Sequence, residues 1–374
     1  MRIIFIFLLA GYFPAVAQNL IDKKATQETK SLYNNLFKIS DKGFMFGHQD
    51  GDAYGVGWNA EPGRSDVKEV CGDYPAVHGW DIGRIEIKQP YNLDSVDFDK
   101  MVGWIQANYK RGGINTVSWH VDNPVTKKDS WDTTSAVKHI LPGGELHLYF
   151  VGQLDLLADF LKRCKSGKTY IPIIFRPYHE HNGNWFWWGK GNVSESDYIK
   201  LWKFTIDYLR NEKQLHHLIY AFSPDRSRLN MDLLSSSYQY GYPGDDYVDL
   251  LGLDNYMDVG VKWNTKTTQQ QREDFVKSLK AVSDLAKEKN KVAAITETGL
   301  ESITNPAWFT EVILNPLKQN RDIKIAYVMV WRNDRPNHSY APYPGHPAAD
   351  DFKKFFNDER TVFESDLKDV YKSK

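Results

Sequence analysis

Apolar runs of strand length recur along the chain, separated by longer stretches of helical periodicity. The runs are FMFGHQD (44–50), AVHGWDI (76–82), NTVSWH (115–120), YIPIIFRPYHE (170–180), LIYAFSPD (218–225), VDLLGLDNY (248–256), VAAITETG (292–299) and AYVMVWRN (326–333). Helical patterns between them include LDLLADFLKRC (154–164), YIKLWKFTIDYLR (198–210) and EDFVKSLKAVSDLAKEK (273–289). Strands that are apolar on both faces and alternate with helices predict a parallel sheet covered by helices. Eight such units predict an α/β fold of the (β/α)8 TIM-barrel type, in a single domain.

Each predicted strand ends in polar or aromatic residues: His48-Gln49-Asp50, Trp80-Asp81, Trp119-His120, His179-Glu180, Asp225, Asp254 to Tyr256, Glu297 and Trp331-Arg332. In a barrel those ends converge on the face that carries active sites. Two loops are assigned to the same face: a long insertion after the third strand (126–148) and the shorter GYPGDD (241–246). No linker, repeat or shift of composition marks a second domain.

Composition adds bounds. The 374 residues carry a formal net charge of −1, which provides no basic footprint for nucleic acid. The N-terminus, MRIIFIFLLAGYFPAVAQN, has a positive start, a short apolar core and a small-residue cleavage site. Residues 1–17 are therefore expected to be a signal peptide and 18–374 the catalytic domain, exported to the periplasm or secreted. Nothing later reads as a membrane span, and a monomer is expected. Cys71 and Cys164 lie in helical segments and are expected as small buried thiols rather than a disulfide.

The chemistry gathers at RPYHEHNGNWFWWG (176–189) and ITETG (295–299). Glu180 and Glu297 each directly follow an apolar strand, so both carboxylates are expected in the barrel mouth. Two carboxylates facing each other across an aromatic cleft suit glycoside hydrolysis, one as proton donor and one as nucleophile or base. On this reading Trp185, Trp187 and Trp188, in a glycine-broken loop, provide stacking surfaces for sugar rings. One rival is a zinc hydrolase using HEH with His120 and Asp254. The sequence lacks the helical H-E-x-x-H spacing, and strand alternation would point Glu180 away from the flanking histidines. No metal or cofactor is expected. A second rival, a non-catalytic carbohydrate-binding barrel, would not need both carboxylates.

The stretch 176–189 resembles the Arg-Pro-x-His-Glu-x-Asn-Gly-x-Trp-Phe-Trp-Trp-Gly pattern of glycoside hydrolase family 26, mostly β-mannanases. The resemblance extends through GHQDGDAYGVGW (47–58), PAVHGWD (75–81), GGINTVSWHVDNP (112–124), GLDNY (252–256) and TETG (296–299). It implies a (β/α)8 barrel that hydrolyses β-1,4-mannosidic bonds in mannan, glucomannan or galactomannan with retention of configuration. Glu180 would be the acid/base and Glu297 the nucleophile. His179 would lie beside the nucleophile. Trp185, Tyr256 and Trp331 would surround the scissile bond, His120 and Arg176 would be polar groups at the floor, and Asp254 a binding position. Position 181 is His where the family often has Met, which is expected to alter the leaving-group side. Activity on β-1,3-1,4-glucan or β-1,3-xylan is the alternative within the family. The insertion at 126–148, with Trp131 and His147, is expected to wall the glycone end and favour mannobiose.

Overall fold

The computed structural model describes residues 20–372, so the expected leader lies outside the described residues. Eight parallel strands close into a (β/α)8 barrel: β1 (Phe44–Gln49), β2 (Val77–Asp81), β3 (Ile114–Trp119), β4 (Ile173–Pro177), β5 (Leu218–Phe222), β6 (Leu250–Asn255), β7 (Val292–Thr298) and β8 (Tyr327–Val330). Closure comes from β8 against β1, with Met45 opposite Tyr327 and His48 opposite Val330. A two-residue strand, Thr361–Val362, also pairs with β1, through Phe44 and Met45.

Alternation along the strands divides the core in two. Met45, Val77, Ile114, Ile174, Ile219, Leu250 and Met329 pack together inside the barrel. Phe46, Val117, Phe175, Phe222, Leu253 and Val328 belong to the larger cluster beneath the helices. The helices that matter here are α1 (Gln27–Lys42), α2 (Phe98–Arg111), α3 (His147–Arg163), α4 (Glu195–Asp207), α5 (Thr268–Glu288) and α6 (Ala349–Phe356). Helix α5 starts at a capping box in which Thr267 and Gln270 satisfy each other's backbone N–H. Helix α1 seals the N-terminal end of the barrel. Its Leu32, Tyr33 and Leu36 join the interior cluster, and Tyr33 Oη donates to Asp249 O ahead of β6. The open mouth is therefore at the C-terminal strand ends.

Four sequence expectations are corrected. Trp80 and Trp119 do not face the mouth: Trp80 stacks on Trp104 of α2, and Trp119 donates to Glu86 from beneath the helical layer. The insertion after β3 ends sooner than expected, because α3 begins at His147, whose ring packs on Phe204 of α4. The GYPGDD segment leaves the mouth: Asp245 pairs with Lys289 at 3.1 Å, and its carbonyl accepts from Lys291 at 2.6 Å, at the N-terminal end of β7. His181 is buried away from the cleft, stacked on Tyr198 and donating to Tyr240 O. Both cysteines are free thiols, Cys164 buried and Cys71 partly so. Among the described residues no helix is long and apolar enough to cross a membrane.

Candidate active site

The mouth is organised by the turn after β4. The strand stops at Pro177, and Tyr178 and Glu180 then adopt φ of 48° and 53°. Left-handed backbone at non-glycine residues costs about 1–3 kcal/mol each and persists only where the surroundings impose it. Here they do. Glu180 N donates to Ser223 O at the end of β5 (2.8 Å). Tyr198 Oη donates to Tyr178 O (3.0 Å), and Trp188 Nε1 donates to His179 O (2.9 Å). Trp187 Nε1 donates to Val121 O beyond β3. Trp187 and Trp188 are fully buried. Instead of forming sugar platforms as the sequence suggested, they and Tyr198 brace the backbone that aims Glu180.

Trp185 alone of the three borders the cleft. Its Nε1 donates to Glu180 Oε2 at 2.7 Å. A Cβ on Gly183 would lie 2.3 Å from the Trp185 ring, so this close approach requires glycine. Burial pushes the Glu180 carboxyl well above the usual range, and the negative charges of Asp225, Glu297 and Asp254 push it the same way. A neutral carboxylic acid in this position is a proton donor.

Glu297 reaches the mouth through an irregularity between β6 and β7, where the register shifts and sets Asp254 opposite Glu297. Arg176, the last inward residue of β4, lies buried beneath them. Its Nη2 donates to Glu297 Oε2 at 2.6 Å and its Nη1 to Asp254 Oδ2 at 2.7 Å. Thr296 Oγ1 donates to the other oxygen of Asp254. Tyr256 Oη donates to Glu297 Oε1 at 2.9 Å. Both oxygens of Glu297 are thus oriented, one by a cation and one by a phenol. Asp254 is fully buried, so its contact with the cleft runs through Arg176.

On the other side His179 and His120 meet edge to face at 4.5 Å. His120 donates from Nδ1 to Asp81 Oδ2 at 2.7 Å. Although desolvation opposes it, the Asp81 carboxylate raises the pKa of His120. His179 is held well below its ordinary value by burial, then by Arg176 and His120. Trp131, from the loop after β3, lies parallel to the His120 ring at 5.3 Å and is 48% exposed. Trp331 is half-buried beyond β8, its N–H bonded to Thr298 O.

His179, Asp254 and Glu297 offer ligand atoms within 4.8 Å of one another. The alternation argument against a metal does not apply, because HEH lies in a turn and not on a strand. The guanidinium of Arg176 already bonds both carboxylates, so a divalent cation there would face a fixed buried charge of the same sign. The donor set fits a carboxylate–arginine network and not a metal centre.

Two contributors, Arg228 and Asn182, were not singled out from sequence. Arg228 lies over the Trp185 ring at 5.2 Å and donates to Asn184 Oδ1. Asn182 and Asp225 exchange bonds of 2.7 Å in both directions, joining the acid's turn to the end of β5. The charged stretch DRSR immediately after a strand end was the available signal.

Residues 21–341 match the profile of glycosyl hydrolase family 26. The chain is similar to a mannan endo-1,4-beta-mannosidase of Bifidobacterium adolescentis, 37% identical over 93% of this chain, but spans only 36% of that relative's length. It is similar to another enzyme of that name from Bacillus subtilis, 28% identical, covering 89% of this chain and 88% of the relative. A solved GH26 beta-mannanase from Bacteroides ovatus superposes with a TM-score of 0.85 at 41% identity, covering 93% of this chain and 98% of that one.

Proposed function

The chain belongs to glycosyl hydrolase family 26, and from that premise we propose that it is a retaining endo-β-1,4-mannanase acting on mannan, glucomannan or galactomannan. One observation carries the reading: Glu180 and Glu297, from β4 and β7, share the mouth with opposite partners. Glu180 has an indole donor and carboxylate neighbours, whereas Glu297 has a guanidinium and a phenol.

In the first step Glu180 gives its proton to the glycosidic oxygen as the C1–O bond breaks, and Glu297 attacks C1 to form a glycosyl ester. In the second, the Glu180 carboxylate takes a proton from water, whose oxygen attacks C1 and releases Glu297. Tyr256 and Arg176 hold Glu297 in line. His179, neutral and beside Glu297, faces the sugar undergoing substitution. Trp185 and Trp331 flank the scissile bond, and the Trp131 loop walls the glycone end, which favours mannobiose.

Product analysis over time on linear mannan, mixed-linked glucan and β-1,3-xylan tests the substrate class, with NMR of the first-formed anomer. Mannan cleavage to β-configured ends is expected. Preferential cleavage of glucan or xylan would replace the substrate, and a first-formed α anomer would overturn the retaining mechanism. Export through residues 1–17 and a monomeric state complete the proposal. N-terminal sequencing of fractionated protein, expected to begin at Gln18, tests the former and gel filtration the latter.

A further inference from the structure

Beyond Tyr256 the mouth continues into a depression of about 440 Å³, lined among others by Tyr256, Trp263, Gly299, Leu300 and Tyr340. None of these except Tyr256 has a part in the chemistry above. Trp263 is 60% exposed. A large exposed indole beside a cleft is an unfilled contact surface rather than core.

The surroundings hold this surface in shape. Asn264, next to Trp263, is buried and donates to Met257 O at 2.8 Å, and Gln271 of α5 accepts from Gly260 N at 2.9 Å. The loop that carries the indole is therefore closed upon itself while the ring remains outside. Ser302 N donates to Ser339 O at 2.9 Å, joining the loops after β7 and β8. Tyr340 lies edge-on to Tyr256, 6.3 Å between ring centroids. Gly299, at φ 142°, permits that placement, because a Cβ there would lie 2.5 Å from the Tyr340 ring. An aromatic path thus leads from Glu297 through Tyr256 and Tyr340 to the depression. Its rim carries Lys262 and Glu301, both exposed, which suit hydroxyl groups better than hydrocarbon.

We propose that this depression is a further sugar-binding subsite, in which Trp263 stacks on the apolar face of a hexopyranosyl unit of the same polysaccharide chain that reacts at Glu297. The proposal rests on the polysaccharide-hydrolase reading above. The unit is either a more distant backbone sugar or a galactosyl branch, two sources that share a pyranose ring with an apolar C–H face and hydroxyls at its edge.

The test is binding to full-length Glu297→Gln protein, with and without Trp263→Ala or Trp263→Tyr. Calorimetry would use linear mannohexaose, a galactosylated manno-oligosaccharide and a mixed-linked gluco-oligosaccharide. Trp263→Ala should weaken binding about five- to tenfold, the equivalent of one stacking contact, and Trp263→Tyr should restore most of it. A loss with linear mannohexaose identifies a backbone sugar, and a loss confined to the branched ligand identifies the galactosyl unit. Unchanged affinity for all three would overturn the proposal. In the active enzyme, turnover of an aryl mannoside, whose single sugar is the one that reacts at Glu297, should be unaffected by Trp263→Ala. A parallel fall there would mean that Trp263 acts through Tyr256, which also overturns it. If the parent fails on mannan while the Trp263 effect appears with the glucan ligand, the mannan reading fails and the subsite stands.

Discussion

At the residue scale the two carboxylates differ in what surrounds them. The Trp185 indole and a ring of carboxylates surround Glu180, whereas Arg176 and Tyr256 hold both oxygens of Glu297. Each mutant therefore has its own signature. Glu180→Ala should slow cleavage of polymer by about 10²- to 10⁴-fold, since the sugar leaving group needs a proton. It should still form the glycosyl ester from an aryl mannoside with a good leaving group, and azide should accelerate its turnover to a β-azide. Glu297→Ala should fail on both substrates, with azide yielding an α-azide if it rescues at all. Product configuration by NMR separates the cases, and interchanged patterns would reverse the assignment. The sequence displayed both glutamates because each directly follows an apolar strand. It could not display that Trp187 and Trp188 are buried braces. A tryptophan's role depends on where its N–H finds an acceptor, and here the acceptors are the carbonyls of Val121 and His179.

At the element scale the loop between β3 and α3 is built on Asn123. Its side chain donates to Asp132 O and Thr134 O and accepts from Val125 N and Thr126 N. That ring of bonds presents Trp131 to His120. The loop is also part of the core, since Ala136, Val137 and Ile140 are buried in the main cluster. Excising it would damage the fold, so a local change is the sharper test. Asn123→Ala should loosen the loop at a cost of about 1–3 kcal/mol, because buried backbone groups lose their partners. Early products from linear mannan should shift from mannobiose towards longer oligomers. An unchanged product ladder in a folded Asn123→Ala protein would rule out the loop as the wall of the glycone end. The sequence marked the insertion by its length but placed its end wrongly. The residues before Leu154 lack a strong helical pattern, and α3 extends back to His147 because its first turn packs on α4.

At the scale of the whole molecule, His78 of β2 ties the C-terminal segment to the barrel. Its ring lies 2.6 Å from Asp52 and 2.9 Å from Glu364, with Arg111 of α2 bonded to the same two carboxylates and His48 nearby. Burial opposes the charge, but Asp52 and Glu364 raise the His78 pKa from 6.5 to about 9. The folded protein then holds a proton that the unfolded chain releases above pH 6.5. This stabilisation is complete below pH 6.5 and is lost as pH rises through about 9. It amounts to roughly 3 kcal/mol. Thermal unfolding from pH 6 to 10 should show Tm falling across that window, and His78→Gln should be less stable at pH 6 with a flatter profile. A parent Tm that stays level from pH 6.5 to 9.5 would refute the linkage. The sequence by itself determined the barrel, the direction of its mouth and the two carboxylates. Those follow from hydrophobic period and from residues directly adjoining strands, which are local properties. Only the tertiary structure decided which aromatics border the cleft, that Asp254 acts through Arg176, and that His78 answers to Glu364. Each of these depends on a partner distant along the chain. Burial and charge pairing are set by proximity in space, which the order of residues along one strand does not encode.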